Sequence, residues 1–222
     1  MKRLVEGLYQ LRGFPPNAIN VYLMGDVLVA AGTRYARGRI LRQLRGHEVK
    51  AHALTHAHPD HQGSSHAVCN VLNIPLWCSA ADAPAVENPK LIAERLPRHW
   101  LNHLIGLLWT GPAHPVARLL REGDEVGGFT VIETPGHCAG HVSYWCEQRR
   151  VLVLGDVLAN LNILTGLPGL HEPPELFTID PPLNRQSARK VAALRPELVC
   201  FGHGPPLRNA QKFLDFVNKL PD

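Results

Sequence analysis

The sequence predicts an α/β protein in which two β-sheets pack face to face and helices cover the outside. Short runs rich in Val, Ile and Leu end in turn residues in both halves of the chain, and segments with helical periodicity accompany them. Two runs, DVLVAAGT at 26–33 and RVLVLGDV at 150–157, are similar, and each lies in a strand-rich half followed by a helix. With 222 residues, 45% of them hydrophobic, the chain can bury a substantial core.

Eight strands and five helices follow from these patterns. The strands are expected at 19–25, 26–32, 49–55, 74–79, 129–136, 141–147, 150–156 and 197–204. The helices are expected at 33–46, 64–73, 90–108, 184–195 and 208–220; Thr33 would cap the start of the first and Gly46 would end it. The Pro- and Gly-rich stretch 166–182 is predicted to be a loop long enough for a functional role. We expect one domain over residues 1–222, with a helical, lid-like insertion at about 82–120.

Composition limits the function classes. A net charge of +4 with scattered Lys and Arg does not indicate a nucleic-acid-binding surface. The longest apolar stretch, at 100–109, is about half the length of a membrane span, and no signal peptide is evident. Five cysteines without a C-x-x-C pair indicate a reducing compartment. We therefore expect a cytoplasmic monomer or homodimer that acts on a small molecule, with neither nucleic acid nor membrane as partner.

Histidines and aspartates follow four of the predicted strands. The stretch ALTHAHPDHQG at 53–63 contains His56, His58, Asp60 and His61, and the chain has thirteen histidines in total. Single candidates follow three later strands: His137, Asp156 and His203. Ligand sites of sheet proteins gather at strand ends, so we expect one site. Imidazoles and carboxylates without thiolates suit zinc, and also iron or manganese.

The motifs THAHPDH at 55–61, TPGH at 134–137, GD at 155–156 and GHG at 202–204 resemble those of the metallo-β-lactamase-fold hydrolase superfamily. The resemblance spans about residues 19–206 and implies an αββα four-layer sandwich. It also implies a dinuclear metal site with two Zn²⁺, or Fe or Mn in one or both positions. One ion would be held by His56, His58 and His137, the other by Asp60, His61 and His203, and Asp156 would bridge them.

The resemblance implies hydrolysis by a hydroxide shared between the two metal ions. Metal ions lower the pKa of bound water, so hydroxide exists at neutral pH and can attack an ester, thioester or lactone. Asp60 is the catalytic candidate, as a residue that orients the nucleophile or moves its proton. The glyoxalase II and lactonase-like branch fits best, although the chain ends one helix after His203, which disfavours a glutathione thioester.

Three alternatives remain open. One is an iron-dependent oxidoreductase similar to the persulfide dioxygenases of this fold, which use a single iron. Another is promiscuous amide hydrolysis of the β-lactamase type. The third, a non-catalytic binding protein, is disfavoured by the full set of seven ligands.

Residues around the expected ligands give further hypotheses. His141 and His171 are candidates for supporting the ligands or bordering the pocket. Trp109, with Trp100, Leu104 and Leu108, would form an apolar lid over the metals and favour a substrate with an apolar tail. The sequence departs from the family at Ala30, where the family carries an aspartate that braces the histidine loop. Asp26 is the candidate to compensate.

Overall fold

The computed structural model describes residues 1–221 and contains two large mixed β-sheets. The first has seven strands in chain order: β1 (Lys2–Val5), β2 (Leu8–Gln10), β3 (Tyr22–Met24), β4 (Val27–Val29), β5 (Ala51–Ala53), β6 (Leu76–Ser79) and β7 (Val116–Leu120). β1 to β4 are antiparallel, whereas β4 to β7 run parallel. Parallel neighbours need crossovers, and these contain α1 (Arg37–Leu44), α2 (Pro59–Gln62), α3 (Ser65–Leu72), α4 (Ala83–Glu87) and α5 (Trp100–Trp109).

The second sheet contains β8 (Glu125–Val126), β9 (Phe129–Glu133), β10 (Val142–Cys146), β11 (Val151–Gly155) and β14 (Leu198–Phe201), in the spatial order β14-β11-β10-β9-β8. Only the β11–β14 pair is parallel. A separate two-stranded sheet pairs β12 (Ala159–Leu161) with β13 (Pro168–His171), and α6 (Pro181–Ala192) and α7 (Ala210–Val217) flank β14 in sequence.

Three apolar layers hold the elements together. The central one joins the inner faces of both sheets, for example Tyr22 and Val29 with Tyr144 and Val153. Outside the first sheet, α1 and α3 bury Ile40, Leu44 and Val68 on Leu28; outside the second, α6 and α7 bury Val191 and Phe213 on Leu152. Each large apolar side chain buried in this way stabilises the fold by about 1.5–3 kcal/mol relative to an exposed one. The predicted αββα sandwich is therefore confirmed.

Hydrogen bonds join the two sheets beside the strand ends. The Tyr144 hydroxyl donates to the carbonyl of Leu54 at 2.7 Å, and the backbone N–H of Val142 donates to Thr55 O at 2.8 Å. The Tyr22 hydroxyl donates to the carbonyl of Phe201 at 2.7 Å. These bonds fix the carboxyl ends of β5 and β14 against the opposite sheet.

All eight predicted strands are present with shorter bounds, but several boundary predictions were wrong. Thr33 does not cap α1: its carbonyl accepts hydrogen bonds from Ala36 N and Ser64 Oγ, so it lies in a turn before the helix begins. Gly46 does end that region, with a φ of +78°. The predicted helix at 90–108 is divided, because Pro97 separates a 3₁₀ turn at Pro89–Arg95 from α5.

Two segments contain more regular structure than predicted. The loop at 166–182 includes β13, a 3₁₀ turn at Glu175–Phe177 and the first residues of α6. The segment 82–120 ends in β7, an edge strand of the first sheet, so the helical excursion stops before Val116. Within residues 1–221, no helix combines the length and apolarity that crossing a membrane requires.

Candidate metal centre

The histidine-rich loop connects β5 to α2 at the carboxyl edge of the first sheet. His56 and His58 are buried, and their ring centroids lie 4.4 Å apart. Pro59 occupies the first position of α2, where a backbone N–H would have no helical hydrogen-bond partner, so proline costs nothing there. The short helix places Asp60 and His61 next to His56 and His58. The loop is also tied to the segment after β4, because Ala31 N donates to His61 O at 2.6 Å.

The second sheet contributes three more side chains. β9 and β11 are each antiparallel to β10, and β14 is parallel to β11, so β9, β11 and β14 end at one edge. His137, Asp156 and His203 follow these ends. The residues after β11 and β14 can approach closely because residue 202 is glycine: a Cβ there would lie 1.8 Å from Asp156 Oδ1.

Asp156 lies at the centre of the cluster. Its Oδ2 atom is 3.1 Å from Nε2 of His203, 3.3 Å from that of His61, 3.6 Å from that of His137 and 3.8 Å from that of His56. All five side chains are almost completely buried. One carboxylate oxygen therefore faces four imidazoles that come from both sheets.

The other two predicted ligands complete the cluster on either side. Asp60 Oδ2 lies 3.3 Å from His203 Nε2 and 3.6 Å from His61 Nε2. His58 Nδ1 lies 3.0 Å from His137 Nε2. The structure thus brings all seven sequence-predicted residues together, in three overlapping groups: His56, His58 and His137; His56, His61 and Asp156; and Asp60, His61 and His203.

The donor atoms fit metal ions. Nε2 of His56, Nε2 of His61 and Oδ1 of Asp156 are buried and have no hydrogen-bond partner. Buried polar atoms are normally satisfied, so a concentration of unpartnered nitrogen and oxygen atoms at one place fits the donor set of a metal cation. Tetrahedral zinc with bonds of about 2.0–2.1 Å separates its ligand atoms by about 3.3–3.4 Å, in the middle of the distances seen here.

Electrostatics support the same conclusion. Burial is the main reason that the pKa values of His56 and His137 lie well below the ordinary value, so both rings are neutral and offer lone pairs. At Asp156 the effect of burial is outweighed by His203 and His61, which hold its pKa well below the ordinary value. Burial lowers the pKa of His203, but Asp156 outweighs it and the pKa is raised well above normal. The cluster therefore combines neutral imidazoles, which can donate lone pairs, with an ionised carboxylate, and this is a donor set that metal cations bind.

Several rings are oriented by a hydrogen bond on the side away from the cluster. His58 Nε2 bonds the carbonyl of Arg95 at 2.8 Å, which leaves Nδ1 facing His137. Two further pairs follow this pattern: His137 Nδ1 with Thr178 Oγ1 at 3.3 Å, and His203 Nδ1 with Ala18 O. Such bonds fix the tautomer and the direction of a metal-binding imidazole.

The two accessory histidines have different surroundings. His141 is buried beside the cluster, where its Nε2 accepts from Asp156 N at 3.0 Å and its Nδ1 pairs with Thr134 Oγ1 at 2.8 Å. Burial lowers its pKa to about 3, which matches this neutral, accepting role. His171 lies opposite Ala159 in the β12–β13 pair and is not among the described residues that line the cavity beside the cluster.

Asp82 was not identified from the sequence. It is completely buried and accepts a hydrogen bond from Ala57 N at 2.9 Å, between the two histidines of the loop. Its other oxygen lies 3.7 Å from Nε of Arg95, whose carbonyl orients His58. Asp82 follows β6, which is parallel to β5, so its place after a strand end was a signal in the sequence.

Cys138, next to His137, is a buried packing residue. Its Sγ lies 3.7 Å from Asp82 Oδ2, and burial raises the pKa of its thiol well above normal.

Ala30 has a left-handed backbone conformation, which aspartate and asparagine adopt more readily than alanine. Its φ is +60°, and its N–H donates to Ala53 O at 3.1 Å beside the loop. Asp26 does not replace the absent carboxylate, because it is paired with Lys50 at 3.0 Å at the surface. The compensation hypothesis for Asp26 was therefore wrong, and Asp82 is the carboxylate that holds the loop.

A cavity of about 260 Å³ opens beside the cluster. Its walls beyond the histidines and aspartates are mainly apolar, and they include Leu96, Leu101, Ile105, Trp109, Ile163 and Phe177. Neither lysine nor arginine is among the described residues that line it. This cavity suits an apolar part of a ligand.

Helix α5 forms one wall of this cavity, but the helix face that lines the cavity differs from the face predicted from the sequence. Leu101, Ile105 and Trp109 line the cavity at helical spacing, whereas Trp100 is 71% exposed on the opposite side. Leu104 and Leu108 are nearly half exposed and are not among the residues that line the cavity, so of the four proposed lid residues only Trp109 faces it. Asn102 decides this rotation, because its side-chain amide donates to the carbonyls of Pro97 and Leu176 at 2.8 and 2.7 Å.

Comparisons with known proteins agree with this geometry. The sequence model described as the metallo-beta-lactamase superfamily matches residues 14–203. The probable metallo-hydrolase YflN of Bacillus subtilis (strain 168) is 29% identical over 228 aligned positions, covering 91% of this chain and 86% of that protein.

Two further similarities bear on the chemistry. The hydroxyacylglutathione hydrolase of Methylobacterium nodulans is 39% identical over 106 residues, which cover 46% of this chain and 38% of that enzyme. The crystal structure of TTHA1623 in a di-iron-bound form is 29% identical, with a TM-score of 0.63, and the match covers 97% of this chain and 94% of that one.

Proposed function

Because the chain belongs to the metallo-beta-lactamase superfamily and is an enzyme of the metallo-hydrolase type, we propose that it hydrolyses an ester, thioester or lactone with two metal ions. The observation that carries this proposal is the position of Asp156 Oδ2, within 3.8 Å of four imidazole nitrogens. A carboxylate in that position could serve as a ligand to both metal ions. We also propose that the chain is a single domain in which the helical segment between β6 and β7 is an insertion.

In this proposal the ligands divide into two sets around Asp156. His56, His58 and His137 would hold one ion, and Asp60, His61 and His203 would hold the other. Two bound divalent ions would supply a hydroxide at neutral pH and would polarise the carbonyl of the substrate. Zinc and iron both accept imidazole and carboxylate ligands, and a similar protein has been solved with two irons.

The remaining steps depend on groups of the chain itself. Asp60 reaches the cavity wall, and its side chain is more exposed than that of Asp156. Burial raises the pKa of Asp60, but His61 and His203 outweigh burial and hold the pKa far below its usual value. Such an acid accepts a proton poorly at neutral pH, which supports the orienting role for Asp60. The apolar walls exclude water and bind an apolar part of the substrate.

Metal content tests the proposal first. Protein purified without chelator or nickel is expected to contain about two zinc or iron ions per chain by mass spectrometry of the metals, and to hydrolyse members of an ester, thioester and lactone panel. The panel includes a hydroxyacyl-glutathione thioester, because hydroxyacylglutathione hydrolases are among the relatives. Dialysis against a chelator should remove activity, and added zinc or iron should restore it. About one iron per chain, with oxygen uptake on persulfides and no hydrolysis, would contradict the proposal in favour of the oxidoreductase alternative.

Replacing Trp109 by alanine is expected to raise KM for long-chain esters up to about tenfold and to change KM for acetate esters little. The indole lines the cavity beside the cluster, so its removal takes apolar contact from the far end of the acyl chain. The measurement is KM along a series of 4-nitrophenyl esters of increasing chain length. Trp100→Ala is the matched control, since that indole is exposed on the other face of α5. An equal change for short and long esters would contradict an apolar binding wall.

A further inference from the structure

Resting on the proposed hydrolase function, we propose that Arg39 binds a carboxylate on the substrate, on the other side of the scissile bond from the apolar group. A second cavity, of about 360 Å³, lies beside the first. Asp60 and His203 line both cavities, and Trp109 and Ile163 separate them. A substrate at the metal centre therefore has two directions in which to extend.

The second cavity differs from the first in charge. Arg39, on α1, lines it together with Phe14, Pro15 and Thr33. The side chain is half-buried. The first cavity has no such cation among the described residues that line it. Both cavities have mainly apolar walls, and Arg39 distinguishes the second one by offering a cation to an anionic group.

The guanidinium of Arg39 is held in place but is not neutralised. Its Nη1 donates to the carbonyl of Arg12 at 2.6 Å. Within residues 1–221, no carboxylate forms an ion pair with Arg39, and no acceptor is hydrogen-bonded to its Nε or Nη2. Burial lowers the pKa of Arg39 and no acidic neighbour opposes this. By contrast Arg185, which is also part-buried, pairs with Glu172 at 2.7 Å.

The free edge of Arg39 suits a carboxylate. Nε and Nη2 form a planar fork that matches the two oxygens of a carboxylate, and one bond to backbone already fixes the plane. Gly13 and Gly32 flank the group: a Cβ at these positions would lie 3.5 Å from Nη1 and 3.8 Å from Nη2. Both glycines therefore lie next to the guanidinium, and neither carries a side chain that could cover it on the side of the cavity.

A matched pair of chromogenic esters tests this inference. 3-Carboxy-4-nitrophenyl butyrate carries a carboxylate on the leaving group, whereas 4-nitrophenyl butyrate does not; 4-nitrophenyl hemisuccinate carries it on the acyl group. The metal-loaded wild-type protein is expected to prefer one of the two carboxylate esters over the neutral ester by about tenfold in kcat/KM. Arg39→Gln should lose that preference, and Arg39→Lys should keep part of it.

The control and a second readout separate this inference from the proposed function. Arg42→Gln removes the same charge from an exposed position on α1 and should keep the preference. Binding of 3-carboxy-4-nitrophenol and of 4-nitrophenol, measured by quenching of tryptophan fluorescence, needs no turnover. If the protein hydrolyses no ester, the proposed function fails, but tighter, Arg39-dependent binding of the carboxylate compound still supports the inference. Equal binding and equal hydrolysis, by the wild type, of the compounds with and without the carboxylate would overturn it. So would an Arg39→Gln variant that only melts earlier and loses activity on both esters equally.

Discussion

Asp156→Asn is expected to leave fewer than two metal ions per chain and to lower the rate of hydrolysis by more than about 100-fold. The loss of a residue that only orients a metal ligand costs about 10- to 100-fold, and the loss of a ligand itself should cost more. Asparagine keeps the size of the side chain but removes its charge. It also places an N–H₂ group or a neutral oxygen among four imidazoles that lie within 3.8 Å of Oδ2. No other described carboxylate lies among all four of these rings, so the loss has no substitute.

Metal analysis, hydrolysis rates and circular dichroism on the same preparation test this expectation. Asp26→Asn is the matched control: it removes a surface carboxylate paired with Lys50 and should retain two metals and full activity. A folded Asp156→Asn protein with two metals and wild-type rates would show that Asp156 is not a shared ligand. A variant that fails to fold is distinguished by its lost ellipticity, and Asp156→Glu then provides the second test, since it keeps the charge but moves it.

The positions of the site residues could be predicted because each follows the end of a strand. The apolar runs before His56, His137, Asp156 and His203 were clear, and the strand ends meet at one edge whatever the exact bounds. Asp82 obeys the same rule and was still missed. A single aspartate after a strand resembles an ordinary turn residue, and what distinguishes Asp82 is its complete burial and its hydrogen bond from Ala57 N.

The orientation of α5 could not be predicted from the sequence. The segment WLNHLIGLLW has apolar residues all round the helix, so periodicity gives no preferred face. The rotation depends on Asn102, whose amide reaches the carbonyl of Leu176, 74 residues away in the chain. A tertiary hydrogen bond of this kind leaves no local pattern.

The short edge strands were missed for a related reason. β1 begins with Lys2 and Arg3, which are exposed, and β12 and β13 have only three and four residues. Strands of this kind have too few buried positions to show an alternating pattern, and they form because a neighbouring strand supplies hydrogen bonds. The central strands, buried on both faces, have the continuous apolar runs that made them predictable.

Asp82→Ala is expected to weaken metal binding by about 10- to 100-fold while the β-sandwich stays folded. The carboxylate holds Ala57 N, between His56 and His58, and its other oxygen faces Arg95, which orients His58. Its loss frees the loop backbone and leaves a part-buried guanidinium without a partner. Metal affinity, measured by competition with a chelating dye, tests this, and Asp124→Ala is the control because that carboxylate pairs with Arg118 at the surface.

Adding Ala30→Asp to Asp82→Ala should restore part of the lost metal affinity, and Ala30→Asp alone should not lower it. The backbone at residue 30 already has a φ of +60°, which aspartate tolerates, and Ala31 beside it donates to His61 O. A carboxylate there would approach the histidine loop from the β4 side, whereas Asp82 approaches from the β6 side. Rescue would show that the two positions are alternative supports for one loop. A further loss in the double variant, with ellipticity intact, would show that the chain has adapted to alanine at residue 30 and that Asp82 acts independently of it.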